Sequence, residues 1–208
     1  MSEKKTKKPP QFNYLLPPEE CARVYEVLEG KPGLDPCGHP DQFLEAGTVM
    51  YGTADEDDGF QAVWRDYGTI VLNATHGERE PDWKGIEEDN PRWERPEFPW
   101  HPFSKWITKA SVEASNGATV LAFMPASTDR KWFHQYVVEA NSIALLEKRV
   151  KCYIPGGHNQ EPTRGPQPMN AHMMVLWTAD SKLADRFYDT YKTRGMIVEP
   201  RPVKKKEE

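Results

Sequence analysis

"ATVLAFMPASTDRKWFHQYVVEA", residues 118–140, is the stretch on which the reading of the fold turns. Residues 118–125 form an unbroken apolar run that stops on a proline, the pattern of a strand buried on both faces of a parallel sheet. A short polar turn follows. From 128 to 140 the period changes, and Trp132, Phe133, Tyr136, Val137 and Ala140 fall on one face of a helix with Ser127 or Thr128 as its cap. A buried strand that turns at once into an amphipathic helix is the repeating unit of α/β proteins.

The same alternation extends outward. Cys21, Val24, Tyr25 and Leu28 stack at helical spacing over 18–29, with Gly30 as a stop. Segments 48–53 and 68–73 read as strands. A helix over 104–115 opens on Ser104 as N-cap and turns Trp106, Ile107, Ala110 and Ala114 inward. Further strands are expected at 142–146, 149–154 and 171–178. A last helix over 181–192 carries Leu183, Ala184, Phe187, Tyr188 and Tyr191 towards the core. The expected fold class is therefore α/β, a mostly parallel sheet with helices on both faces, occupying 13–198. Residues 1–12 and 199–208 read as charged tails. Two stretches break the rhythm as loop insertions, 78–103 and 155–170, the second rich in glycine and proline.

Composition narrows the function classes. The 208 residues carry a net charge of −5, so no global basic footprint for nucleic acid is present. Three widely spaced cysteines without a CxxC give neither a disulfide framework nor a cysteine zinc site. The six histidines show no HxH or HExxH spacing, so no metal is expected. No phosphate-cradling GxxxxGK[ST] and no GxSxG occurs. The basic start "MSEKKTKKPP" lacks an apolar h-region, and no apolar run approaches the ~20 residues of a membrane span. A soluble, cytoplasmic protein with no membrane partner is expected.

The strand at 68–73 ends on Asn73-Ala74-Thr75-His76-Gly77. Polar residues at the carboxyl end of a buried strand stand where open α/β sheets hold ligands. Several blocks around it occur in one order: "LDPCGHPDQ" (34–42), "DDGFQAVW" (57–64), "TIVLNATHG" (69–77), "KWITKA" (105–110) and "GATVLAFMPASTDRKWFHQYVVEANSIALLEKRV" (117–150). Together they resemble the bacteriophage-type DNA N6-adenine methyltransferases, from about Tyr14 to Tyr191. The most specific part is "MPASTDRKWFHQYV".

The resemblance implies a Rossmann-like, S-adenosylmethionine-dependent methyltransferase fold, with DNA as substrate through a flipped base. It implies a cytoplasmic, phage- or prophage-encoded protein in a bacterial host. Asp35, Pro36 and Cys37 match the loop beside the methionine portion of the cofactor, where a carboxylate can pair its ammonium group. Asp58 matches an acidic turn on the adenosine side. Pro125 and Ala126 line the substrate cleft at the neighbouring strand end, with Trp100 from the first insertion. In the family the strand ends in Asn-Pro-Pro-Tyr. The asparagine oxygen and the first proline's carbonyl accept hydrogen bonds from the target amino group, and the tyrosine stacks on the base.

Here the motif is Asn73-Ala74-Thr75-His76. Asn73 keeps the acceptor, Ala74 keeps a carbonyl without the fixed φ of proline, and His76 offers a smaller ring that can also titrate. Three functions follow from that pattern. The first is DNA adenine-N6 methylation with Asn73, Ala74 and His76 at the reacting end. The second is transfer to an altered base or nucleotide with His76 as general base. The third is a degenerate relative that binds without turnover, in an anti-restriction or regulatory role. The insertion 78–103 holds eight acidic and four Lys/Arg side chains with Trp83, Trp93 and Trp100. Its charge favours a protein partner over a phosphate backbone.

Overall fold

The computed structural model describes residues 14–51, 57–74, 101–156 and 160–200. The expected tail at 1–12, residues 201–208 of the expected tail at 199–208, and most of the insertion 78–103 lie outside the described residues.

Helix α1 (Pro18–Leu28) starts on a proline, which fits the first turn, with Glu19 and Glu20 at its positive end. It closes on Glu29 in the left-handed region (φ 56°), so Glu29 rather than Gly30 makes the stop. Next come β1 (Leu34–Asp35), β2 (Thr48–Val49), a 3-10 turn at Trp64–Tyr67 and β3 (Thr69–Leu72). Helix α2 (Phe103–Ser115) begins after Pro102, with no side-chain cap. Ser104 therefore lies inside its first turn and is not the N-cap. Strand β4 (Thr119–Pro125) matches the apolar run, whereas α3 (Lys131–Tyr136) is shorter than the expected helix. Residues 127–130 are taken up by tight turns, Ser127 donating to Pro125 and Arg130 to Ser127, so helix starts only after Arg130. A 3-10 turn at Val137–Glu139 then leads to β5 (Ser142–Leu146).

Strands β6 (Tyr153–Ile154) and β7 (Thr163–Arg164) form a separate hairpin, so the insertion 155–170 contains a strand. Strand β8 (His172–Trp177) is followed by α4 (Ser181–Tyr191), which Asp180 caps by accepting from the amides of Lys182 and Leu183. Strand β9 (Gly195–Val198) ends the fold.

Seven strands form one sheet in the order β2-β1-β3-β4-β8-β5-β9. The pairings β2-β1, β1-β3 and β3-β4 are parallel, whereas β4-β8, β8-β5 and β5-β9 are antiparallel. The sheet is thus mixed. Strands β1 to β5 run one way, and β8 and β9 run the other. Alternate residues feed two cores. Ile70, Leu72, Val120, Ala122 and Val175 pack against α2, α3 and Trp64 on one face. Val71, Leu121, Phe123 and Met174 pack against α1 and α4 on the other, with Leu183, Phe187 and Tyr191 inward. Helices on both faces are what the periodicity predicts. Tyr188 departs from it: it is exposed, with Lys192 over its ring at 5.8 Å.

Candidate functional site

Strand order reverses between β1 and β3: β2 lies to one side of β1, while the chain continues through β3 and β4 on the other. Such a switch point opens a crevice beyond the carboxyl ends of the two strands, the usual ligand position in open α/β sheets. Two expected site residues stand there. Asp35 is the last residue of β1, and Asn73 directly follows β3.

Asp35 is 2 % exposed. Its Oδ1 accepts the amide N–H of Cys37 at 3.0 Å, which shapes the Asp35-Pro36-Cys37 turn, and the Gln42 side chain also bonds its carboxylate. Burial nevertheless dominates and raises its pKa to about 6. No cationic side chain pairs with it among the described residues. The Cys37 thiol is pushed well up, by burial first and by the Asp35 and Asp58 carboxylates second. It stays protonated at neutral pH and is no nucleophile.

The acidic turn docks on the same loop. A Cβ at Gly59 would come within 2.1 Å of the Pro36 carbonyl oxygen, so only glycine lets the two backbones meet. Asp58 Oδ1 accepts the Phe60 amide at 2.9 Å, and its Oδ2 lies 3.3 Å from His101 Nε2. His101 stacks on Phe60 with centroids 4.0 Å apart, and Trp106 closes edge-on against both rings. The sequence alone gave no sign of this box, since His101 reaches Asp58 only through the fold.

Asn73 is half-buried, and its Nδ2 donates to the Tyr14 carbonyl at 2.7 Å. That bond fixes the amide orientation, so Oδ1 is turned away as an acceptor without a hydrogen-bond partner among the described residues. Tyr14 belongs to a strap over the crevice: Leu15 pairs with Tyr153 through hydrogen bonds of 2.9 and 3.0 Å, and Leu16 is buried. The enclosed space between Asp35, Cys37, His39, Gln42 and Asn73 is only about 10 Å³, room for roughly one water.

Ala74 is buried in the core beside β4. Thr69 pairs with Thr119 and Leu72 with Ala122, so Pro125, the last residue of β4, and Ala126 after it lie at the carboxyl end of the neighbouring strand on the same edge. Asp35, Pro36, Cys37, Asp58, Asn73, Ala74, Pro125 and Ala126 thus share one edge of the sheet. Thr75, His76 and Trp100 lie outside the described residues. His39 and His172 are buried with pKa values lowered to about 4 by that burial, so both are neutral at physiological pH. Among the described residues no group of His, Cys, Asp and Glu could hold a metal, and no helix is long and apolar enough to cross a membrane.

Two further features escaped the sequence reading. Tyr14 contacts Asn73 across 59 positions, beyond any local pattern. The cations around the carboxyl end of β5 were in plain sight as the "EKRVK" run at 147–151. No protein-family model, curated protein or solved structure matches the chain.

Proposed function

We propose that the chain is a Rossmann-like, S-adenosylmethionine-dependent methyltransferase acting on the exocyclic amino group of adenine in DNA. The observation that carries this reading is the meeting of Asp35 and Asn73 at the switch point, one a buried carboxylate with no cationic partner among the described residues, the other an oriented amide acceptor. S-adenosylmethionine, when bound, supplies an electrophilic methyl group and an ammonium group.

The donor set suits that cofactor. Asp35 pairs with an ammonium, and such a pairing returns its pKa towards the ordinary carboxylate range. Asp58, held by the Phe60 amide and His101, offers acceptor capacity on what the resemblance makes the adenosine side. Asn73 Oδ1 accepts one hydrogen of the target amino group and the Ala74 carbonyl the other. The nitrogen lone pair is then directed away from the ring and towards the methyl donor. The base leaves the duplex to reach these acceptors, with His76 as its stacking surface.

The Tyr14–Leu16 strap must shift before a methionine-sized group enters beside Asp35, because the enclosed space holds about one water. That closure favours one second reading, a relative that keeps the scaffold and binds a partner without turnover. The test is transfer of labelled methyl from S-adenosylmethionine to duplex DNA, followed by nucleoside analysis for N6-methyladenine. Asn73→Ala abolishes transfer while leaving the melting temperature within a few degrees. Full turnover by that variant would remove Asn73 from the reacting end.

A further inference from the structure

The edge of the sheet that carries Asn73 continues into a second, larger concavity. Strand β5 runs parallel to β3 and β4, so its carboxyl end opens on the same edge. Beyond it lies a cleft of about 550 Å³ lined by Lys148, Arg149, Lys151, Arg164 and Arg194, with Glu19 and Glu20 the acids against them among the described residues. In a chain of net charge −5 this is a local reversal of sign.

Neither acid is open to a ligand as a free charge. Glu19 is ion-paired with Arg164. Glu20 is fully buried, and its Oε1 lies 3.0 Å from both Arg23 and Arg194, so two guanidiniums more than balance it. Arg149 donates to the Pro168 carbonyl at 3.1 Å and thereby props the cleft wall. Lys148 and Lys151 are exposed and have no hydrogen-bond or ion-pair partner among the described residues.

Between this cleft and Asn73 lies a third concavity of about 370 Å³. It shares Val150 and Gln167 with the cationic cleft and Tyr14 with the closed space at Asn73. Its walls are mostly apolar: Cys152, Pro166, Pro168 and Met169, the last 88 % exposed. Three concavities therefore follow one another along one edge, cationic, apolar, then amide-bearing.

We infer that this edge is a nucleic-acid track, in which the cleft at Lys148, Lys151 and Arg194 binds the phosphodiester backbone and the apolar cleft beside it takes a base. The inference deepens the proposed DNA substrate and rests on that reading. Strand-tracking cations next to an aromatic ring on which a base can stack are the two parts that single-strand binding requires, and Tyr14, which lines the apolar cleft, is exposed. The overall acidity of the chain does not oppose it, because the field at a phosphate within a Debye length of about 8–10 Å is set by the nearby groups.

The test uses the full chain and a fluorescein-labelled 16-nucleotide single-stranded DNA, followed by anisotropy at several salt concentrations without S-adenosylmethionine. The unmodified protein binds, and its affinity falls as salt rises. Lys148→Glu with Lys151→Glu weakens binding on the order of tenfold or more at low salt. It also flattens the log–log salt slope by about 1.4, two contacts at ~0.7 each. The milder Lys148→Gln with Lys151→Gln gives the same direction, and circular dichroism reports its folding. Lys182→Glu, exposed at the start of α4 on the opposite edge, changes neither quantity.

Unchanged affinity or slope in the folded double variants overturns the inference, as does absence of binding by the unmodified protein. Displacement of the oligonucleotide by a free nucleoside triphosphate at equal phosphate concentration also overturns it, and reassigns the cleft to a nucleotide. Failure of methyl transfer leaves this binding result untouched, so the track and the chemistry are tested separately.

Discussion

Asp35→Asn isolates the energetic cost of keeping a buried charge at the switch point. The native pKa of about 6 lies above the ordinary 3.8 of an unfolded aspartate. The native state therefore holds an extra proton between about pH 4 and 6. Stability linked to this group is complete below pH 4 and is lost as pH rises through 6. The difference corresponds to about 3 kcal/mol of destabilisation at pH 8. Asparagine keeps an oxygen for the Cys37 amide and carries no charge. Asp35→Asn is thus expected to stabilise the protein by roughly 1–3 kcal/mol at pH 8 and to do nearly nothing at pH 4. Urea unfolding of both proteins from pH 4 to 8, read by tryptophan fluorescence, gives the difference directly. Under the proposed function, the same substitution is expected to remove the partner for an ammonium group and to weaken S-adenosylmethionine binding. A residue whose loss adds stability and removes binding belongs to a site rather than to the scaffold. A pH-independent loss of stability in Asp35→Asn would mean that the Asp35 carboxylate is not a destabilising buried charge.

Other expectations follow from single contacts. Gly59→Ala forces a Cβ against the Pro36 backbone and should cost about 1–3 kcal/mol, visible as a lowered urea midpoint at unchanged slope. Asp180→Ala removes the cap of α4 and should cost about 1 kcal/mol without affecting ligand binding, by the same assay. If the proposed function holds, Ala74→Pro, Thr75→Pro and His76→Tyr together should raise the methyl-transfer rate. No gain would favour altered chemistry over a weakened form of adenine methylation.

Much of the scaffold could be read from the chain because burial on both faces leaves continuous apolar runs. β4, β5 and β8 are such runs, and each appears within about two residues of its expected bounds. Their direction was not readable, since a doubly buried strand has the same pattern whether its neighbour is parallel or antiparallel. Hence β8 and β9 run against the other five strands of a sheet that is, as expected, mostly of one direction. Strands of two residues, such as β1, carry no period at all and exist through their pairing. Tyr188 failed because an apolar ring on a helix flank can cover itself with a lysine stem instead of the core.

The switch-point residues were legible to different degrees. Asn73 stands at the end of the apolar run at 68–73, so its place on the edge follows from that run. Asp35 ends a two-residue strand that no period reveals, and only the resemblance pointed to it. Their surroundings did not follow. The Tyr14 carbonyl that orients Asn73, the His101 contact to Asp58 and the pairing of Glu20 with Arg194 join residues 43 to 174 positions apart. A periodic pattern records neighbours within a turn or a pleat and is silent on such contacts.

Calorimetric titration of the full chain with S-adenosylmethionine at pH 7.5, with Asp35→Asn alongside, asks whether the crevice at Asp35 holds the cofactor. Micromolar binding by the unmodified protein, weakened at least tenfold in Asp35→Asn, is the predicted result. No binding by the folded unmodified protein, or equal binding by both, would contradict the assignment of this crevice to the cofactor.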